Sequence, residues 1–357
     1  MKKTIICTLF LTACTMMAVA QQLPNSQFED WSRSYNGDPQ PAAWNGSNVT
    51  QVGLKFTFVY QKPGRSGSCM FVADREVGAM GITETAPGYV SLGQPWQYLK
   101  GLNVKGATAG TEGGIKWTYR PDTMAVWVMR VGDFTRKEDF HLLYYSWIGN
   151  AKGSKYKNKA GKFTVTERIN EESDIRRATN GNEFGTDEEV PQVAEGWYRA
   201  RARHNEWTLI KVPIFYMNDN KPTMCNVIFS AGNYPAFRAN DGLFAGNGLY
   251  IDDVKLIYSS RIDKLTINGN EWKEFNPDSE AVQTYTLSGS KDVKIEGFRG
   301  IGSLTNIKGE TAQFKGRKLD NKEMTVTPGV INSKPWIITV KAEDGSSKHV
   351  YKIMIKG

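Results

Sequence analysis

The sequence predicts an all-β protein of two successive β-sandwiches, the second of them immunoglobulin-like. Three observations carry that expectation. Short runs rich in aromatic and β-branched residues, such as KFTFVYQK, SCMFVADRE, MAVWVMRVG, HLLYYSWIG, WTLIKVPIFY, CNVIFSAG and LYIDDVKLIY, recur between Gly, Pro, Asn and Asp. No run keeps a helical period for more than two turns. After Ser260 the rhythm changes to evenly spaced, cleanly alternating segments.

The elements follow in order. Residues 1–20, MKKTIICTLFLTACTMMAVA, place two lysines before an apolar stretch that closes on Ala18-Val19-Ala20. This is the pattern of an export signal, cleaved before Gln21. The rival is a lipid anchor at Cys14, in Leu11-Thr12-Ala13-Cys14; the apolar run continues past Cys14, which favours cleavage after Ala20. No later run approaches the ~18 apolar residues of a membrane span, so a chain in the periplasm or at the cell surface is expected. Residues 21–259 hold the first sandwich, interrupted at about 148–198 by polar text that reads as a long excursion. Residues 260–357 hold the second, with KLTINGNEW, QTYTLSG, VKIEGF, TAQFKG and MTVTPG, and a closing hairpin around Glu343-Asp344-Gly345.

Charge and cysteines narrow the partners. Over the full chain 45 Lys and Arg against 37 Asp and Glu give +8, and +6 once Lys2 and Lys3 are removed. That modest excess argues against a nucleic-acid partner and suits an anionic glycan or simple solubility. The lysine-rich run AKGSKYKNKAGK reads as a solvated loop, its rival being contact with an acidic polysaccharide. Only Cys69 and Cys225 remain in the processed chain; a disulfide and two buried thiols are both open.

Most catalytic signatures are missing. His141, His204 and His349 are scattered, no cysteine pair has zinc spacing, and G-x-S-x-G, P-loop and dinucleotide glycine patterns are absent. Carboxylates remain. Glycosidases need two, about 5 to 9.5 Å apart, and Glu171, Glu172 and Asp174 are weak candidates beside Arg176 and Arg177. Their bland reading is a solvated, self-neutralised loop, as it is for Asp187, Glu188 and Glu189. Aromatics offer a better route to sugars, because pyranose C–H faces stack on rings while nearby polar groups hold the hydroxyls. The candidates are Trp44, Trp117, Arg120, Trp147, Tyr234 and Arg238, each with core packing as its rival; Trp127 is assigned to the core.

One motif poses a question of its own. In LYIDDVKLIY, strict alternation sets Asp253 with Lys255 toward water and Asp252 with Tyr250, Val254, Leu256 and Tyr258 on the more apolar face. A carboxylate there must pair, bind a cation or stay protonated.

LPNSQFEDW, PAAWNGSNVT, PGYVSLGQPW, GGIKWTYRPDTMAVWVMR, NVIFSAGNYPAFRA and GNGLYIDDVKLIYSS together resemble the "putative carbohydrate metabolism domain" family of gut Bacteroidetes over about residues 21–259. The resemblance implies a jelly roll like those of carbohydrate-binding modules, in a family whose members are often labelled glycoside hydrolases by analogy of fold. The tail looks like the immunoglobulin-like or cadherin-like sandwiches of secreted glycan proteins. A structural calcium at the junction of first and last strands is also implied, on Glu29 and Asp252 with carbonyls of the Asn25 to Asp30 loop; a salt bridge from Asp252 to Arg or Lys is the rival, and Asp253 is expected to be dispensable. The resulting expectation is a secreted protein that binds a polysaccharide or oligosaccharide. The alternatives are a glycoside hydrolase with paired carboxylates and a structural, adhesin-like protein.

Overall fold

The computed structural model describes residues 21–356 except 52, 80, 101–102, 133–138, 150–191, 201–203, 219, 233–242, 268, 287–292, 299, 306–310, 317–323, 327–334 and 343. The described residues contain β-strands and no helix. Before residue 260, twelve described strands build two main sheets: β1 Asn45–Gly46, β2 Val59–Pro63, β3 Ser68–Ala73, β4 Tyr89–Ser91, β5 Ile115–Lys116, β6 Thr123–Val131, β7 Phe140–Trp147, β8 Gln192–Ala200, β9 Thr208–Pro213, β10 Phe215–Tyr216, β11 Met224–Ser230 and β12 Gly248–Ile257. One sheet has the order β9-β6-β12-β3-β2; the other runs β10-β8-β7-β11-β4-β1, with β5 also beside β11. All these pairings are antiparallel, so the sequence-predicted β-sandwich is present.

Between the sheets lies one apolar core. From the five-stranded sheet it takes Val59, Met70, Val72, Met124, Val126, Val128, Leu249 and Ile251; from the other, Phe140, Leu142, Tyr144, Val227 and Phe229. Alternation explains the choice in β6, where Met124, Val126 and Val128 point inward and Trp127 and Met129 outward. Trp127 is therefore half-buried on the outer face and not a core residue. Strand β7 shows no alternation because both of its faces are covered. Leu143, Tyr145 and Trp147 form a second buried cluster with Tyr89, Met224 and Ile228 on the outer side.

The segment from Gln21 to Ser26 runs along β12. Ser26 O accepts the Val254 N–H at 2.8 Å, the Gln22 side chain bonds both Leu256 N (2.7 Å) and Leu256 O (2.9 Å), and Tyr258 OH donates to Gln21 O at 2.8 Å. β12 itself is not regular. Ala125 pairs with Lys255 but Trp127 pairs with Asp252, so β12 carries one residue more than β6 across that step. Asp253 has φ +45° there, the left-handed conformation of a bulge. The extra residue changes the phase: Leu249 and Ile251 face the core before it, Val254 and Leu256 after it. Asp252 consequently stands with Tyr250 on the outer face, opposite to Val254 and Leu256, which corrects the reading from strict alternation.

A separate apolar cluster, including Ile262, Leu265, Ile267, Trp272, Phe275, Trp336, Ile338, Val340, Tyr351 and Ile353, lies in the region after Ser260. Its strands form a four-stranded sheet around Ile262–Ile267 and a five-stranded one around Trp336–Lys341 and Lys348–Lys356, the last two making the antiparallel hairpin read from Glu343-Asp344-Gly345. Cys69 and Cys225 are both free and buried.

Candidate functional site

The outer face of the five-stranded sheet collects aromatic side chains. Register puts Met129 opposite Tyr250, Tyr250 opposite Phe71 and Phe71 opposite Tyr60, and Trp207, just before β9, closes on Tyr250. Ring centroids are 6.0 Å apart for Tyr60 and Phe71, 4.5 Å for Phe71 and Tyr250, and 6.2 Å for Tyr250 and Trp207. All four rings are half-buried, so each keeps surface open to solvent. Gly248 makes the central position available: a Cβ there would run into the Phe71 ring.

At the Tyr60 end the strip opens into a cleft of about 470 Å3 lined by Tyr60, Lys62, Phe71, Asp74, Arg75 and Glu76, with Ala73, Ala245 and Gly246. Polar groups converge on it. The Lys62 ammonium lies 6.0 Å from the Tyr60 ring, and Arg75 Nη1 donates to Tyr60 OH and to Thr57 O, the latter at 3.2 Å. Asp74 is only 1% exposed and its Oδ1 accepts the Gly88 N–H at 2.7 Å, whereas Glu76 is exposed. Apolar rings with a few placed polar groups are the makings of a small-ligand site.

Next to this strip, the turn between β2 and β3 answers the question of Asp252. Its carboxylate is 1% exposed; Oδ2 accepts the Arg65 N–H at 2.8 Å and Oδ1 the Asp253 N–H at 2.8 Å. Glu29 caps the same turn, accepting the Ser68 N–H at 3.0 and 3.2 Å. Glycines permit the approach: a Cβ on Gly64 would sit 2.7 Å from Asp252 Oδ2, and one on Gly67, at φ +68°, would meet the Glu29 carboxylate. Arg65 completes the arrangement, with Nη1 2.6 Å from Asp253 Oδ2 and its guanidinium 3.7 Å over the Trp127 ring. Burial raises the Asp252 pKa above the ordinary carboxylate value despite the two amide bonds. Burial, then Asp252 and Glu29, push the neighbouring Cys69 thiol up to about 12.

These contacts bear on the implied calcium. A cation needs six to eight oxygens, yet the two carboxylates already receive amide N–H groups, whose polarity is that of a cation's competitor. Four of the loop's carbonyls already accept an N–H: Asn25 O from Phe28 N, Ser26 O from Val254 N, Phe28 O from Trp31 Nε1, and Asp30 O from Ala42 N. Among the described residues no three His, Cys, Asp or Glu side chains form a metal-holding group. Glu29 and Asp252 thus fit calcium poorly. The salt-bridge rival is displaced as well, since Arg65 pairs through its side chain with Asp253, and Asp253 is a structural residue of the bulge.

Four of the sequence-derived sugar contacts are packing residues. Trp44 is 1% exposed, donates Nε1 to Pro24 O at 2.9 Å and stacks on Phe229. Trp117 and Trp147 are 1% and 0% exposed. Arg120 is buried against the Tyr216 ring, donating to Asn218 O at 2.7 Å. A ring enclosed on both faces has no surface for a sugar. Tyr234, Arg238, Glu171, Glu172 and Asp174 lie outside the described residues. Sequence reasoning missed Tyr60, Phe71, Trp207 and Tyr250; the available signal was their shared parity in neighbouring strands, which needs the register.

No family model matches the chain, and no curated protein matches it. Solved structures similar to it include a "putative glycoside hydrolase" from Bacteroides vulgatus at 16% identity, TM-score 0.39, over 65% of this chain and 96% of the other. A second, described in the same words, from Bacteroides thetaiotaomicron, has 15% identity, TM-score 0.39, and coverage of 66% and 71%. The adhesin domain of Epf from Streptococcus pyogenes gives 12% identity and TM-score 0.26 over 84% and 80%.

Proposed function

We propose that this is a secreted carbohydrate-binding protein whose sugar site is the outward aromatic strip of the five-stranded sheet. The supporting observation is the line Tyr60, Phe71, Tyr250 and Trp207, ring against ring and half-open to solvent, ending at a cleft that offers Lys62, Arg75 and Glu76. The slightly positive C–H face of a pyranose meets the negative face of an aromatic ring, and charged side chains at the margin bond its hydroxyls. Nothing in that chemistry requires a cofactor.

The test is a glycan array probed with the processed protein, followed by titration of any binder against Tyr60→Ala and Phe71→Ala. A central ring contact removed costs about 1 to 3 kcal/mol of affinity. Unchanged binding in both variants, with the fold intact, removes the site from this face.

A second reading, glycoside hydrolysis, draws on Asp74 and Glu76 lining one cleft. Binding is favoured over it because the Asp74 carboxylate is buried and caps the Gly88 amide. Product release from a bound oligosaccharide, abolished by Glu76→Gln, would reverse that preference.

A further inference from the structure

We infer that the strip receives an internal stretch of an extended glycan chain lying across the strands, and neither a single sugar nor a chain end; this rests on the sugar-binding reading above. The length is the first argument. From Trp207 beside β9, through Met129 on β6, Tyr250 on β12 and Phe71 on β3, to Tyr60 on β2, the line crosses every strand of the sheet. Ring centroids along it are 6.0, 4.5 and 6.2 Å apart, so the line of rings is at most about 17 Å long. One pyranose covers a single ring and would leave the others wet.

The second argument concerns the ends. The strip runs out at β2 on one side and β9 on the other, both edge strands, and the cleft beside Tyr60 prolongs it outward.

The chain therefore binds by accumulation. Each ring contributes a modest contact, and affinity is reached only when several are covered together. Trp207 and Tyr60, at opposite ends, matter to long ligands and are indifferent to short ones.

The test is calorimetric titration of the processed protein with monosaccharides, short and long oligomers, and soluble polymers of β-glucan, xylan and mannan, the polymers used both untreated and with reducing ends converted to alditols. Affinity should rise with oligomer length until the strip is covered, and end conversion should change nothing. Tyr60→Ala and Trp207→Ala should each weaken the longest oligomers about tenfold and leave the shortest unaffected, with thermal unfolding confirming an intact fold and Tyr60→Phe retaining affinity. A monosaccharide bound as tightly as the polymer, or binding lost on end conversion, overturns the extended-chain inference and leaves the sugar site standing. Binding by none of the three series overturns it along with the sugar site for these glycans, and binding untouched by all aromatic variants overturns the site itself.

Discussion

The backbone amide of Arg65 donates to Asp252 Oδ2 at 2.8 Å, while the side chain of the same arginine reaches past it to Asp253 at 2.6 Å. One turn residue thus serves both carboxylates of the Asp-Asp pair, the buried one through its backbone and the half-exposed one through its guanidinium. The turn is held down on the outer face of the sheet, with Trp127 beneath the guanidinium.

Asp252→Asn should destabilise the protein, since an amide can accept one of the two N–H groups and must turn its own NH2 toward the other. Burial sets the folded pKa of Asp252 above the model value of 3.8. The folded state then holds its proton to higher pH than the unfolded one, so this group's contribution is fully present below the unfolded pKa and is lost as pH rises through the folded pKa. The stability gap between wild type and variant should be widest below that window and narrow above it, as measured by urea unfolding across pH. A chelator should leave the wild-type melting temperature unchanged. A drop confined to the wild type would restore calcium to the site.

Asp253 gives a different pattern because its backbone is the constraint. Its φ of +45° is strained for a β-branched residue and free for glycine. Asp253→Val should cost about 1 to 3 kcal/mol. Asp253→Gly loses only the partly exposed ion pair to Arg65, a contact of the kind worth about 0 to 1 kcal/mol. Equal losses in thermal melts of the two variants would show that the bulge does not govern this position.

Cys69 is predicted to be chemically silent in the folded protein. Its thiol is fully buried and pushed up to about 12, first by burial and then by the charges of Asp252 and Glu29, so almost no thiolate exists at neutral pH. Titration with a thiol reagent should label Cys69 only after denaturant is added. Rapid native labelling would mean that the turn over it opens readily.

The two-sheet architecture was legible because inward and outward residues alternate visibly in runs such as MAVWVMRVG. The site was not, for three physical reasons. Aromatic content does not reveal which face a ring takes: Trp44 and Trp117 fill the sandwich core, and Trp147 is buried in the cluster on the outer side. Tyr60, Phe71, Tyr250 and Trp207 are far apart in the chain and become one line only through register. The bulge at Asp253 adds one residue and reverses the faces on either side of it, which no pattern of period two anticipates.

Buried and surface aromatics should separate in experiment. Trp147→Ala removes a fully buried side chain and should cost about 3 to 5 kcal/mol, enough to threaten folding. Tyr60→Ala removes a half-buried ring at the end of the strip and should change the melting temperature little while weakening glycan binding. Comparable thermal losses in both would mean that the strip is packing and no platform.

The last prediction concerns the division near Ser260. The cluster of Ile262, Leu265, Trp272, Trp336, Val340, Tyr351 and Ile353 takes no residue from before Ser260, so it has the means to hold its own strands together. Against this stand, among the described residues, contacts that a cut after Ser260 would remove. Ala342 belongs to the first domain's core cluster, and Ser260 Oγ lies 2.8 Å from Ser347 Oγ in the same turn. Both are small, an alanine side chain and one exposed hydroxyl pair, and their loss leaves that apolar cluster complete. A fragment of residues 261–357 should therefore unfold cooperatively in urea as a monomeric β domain, with stability lowered only by the exposed Ala342 turn. An aggregated or non-cooperative fragment would mean that the C-terminal strands depend on the larger sandwich to fold.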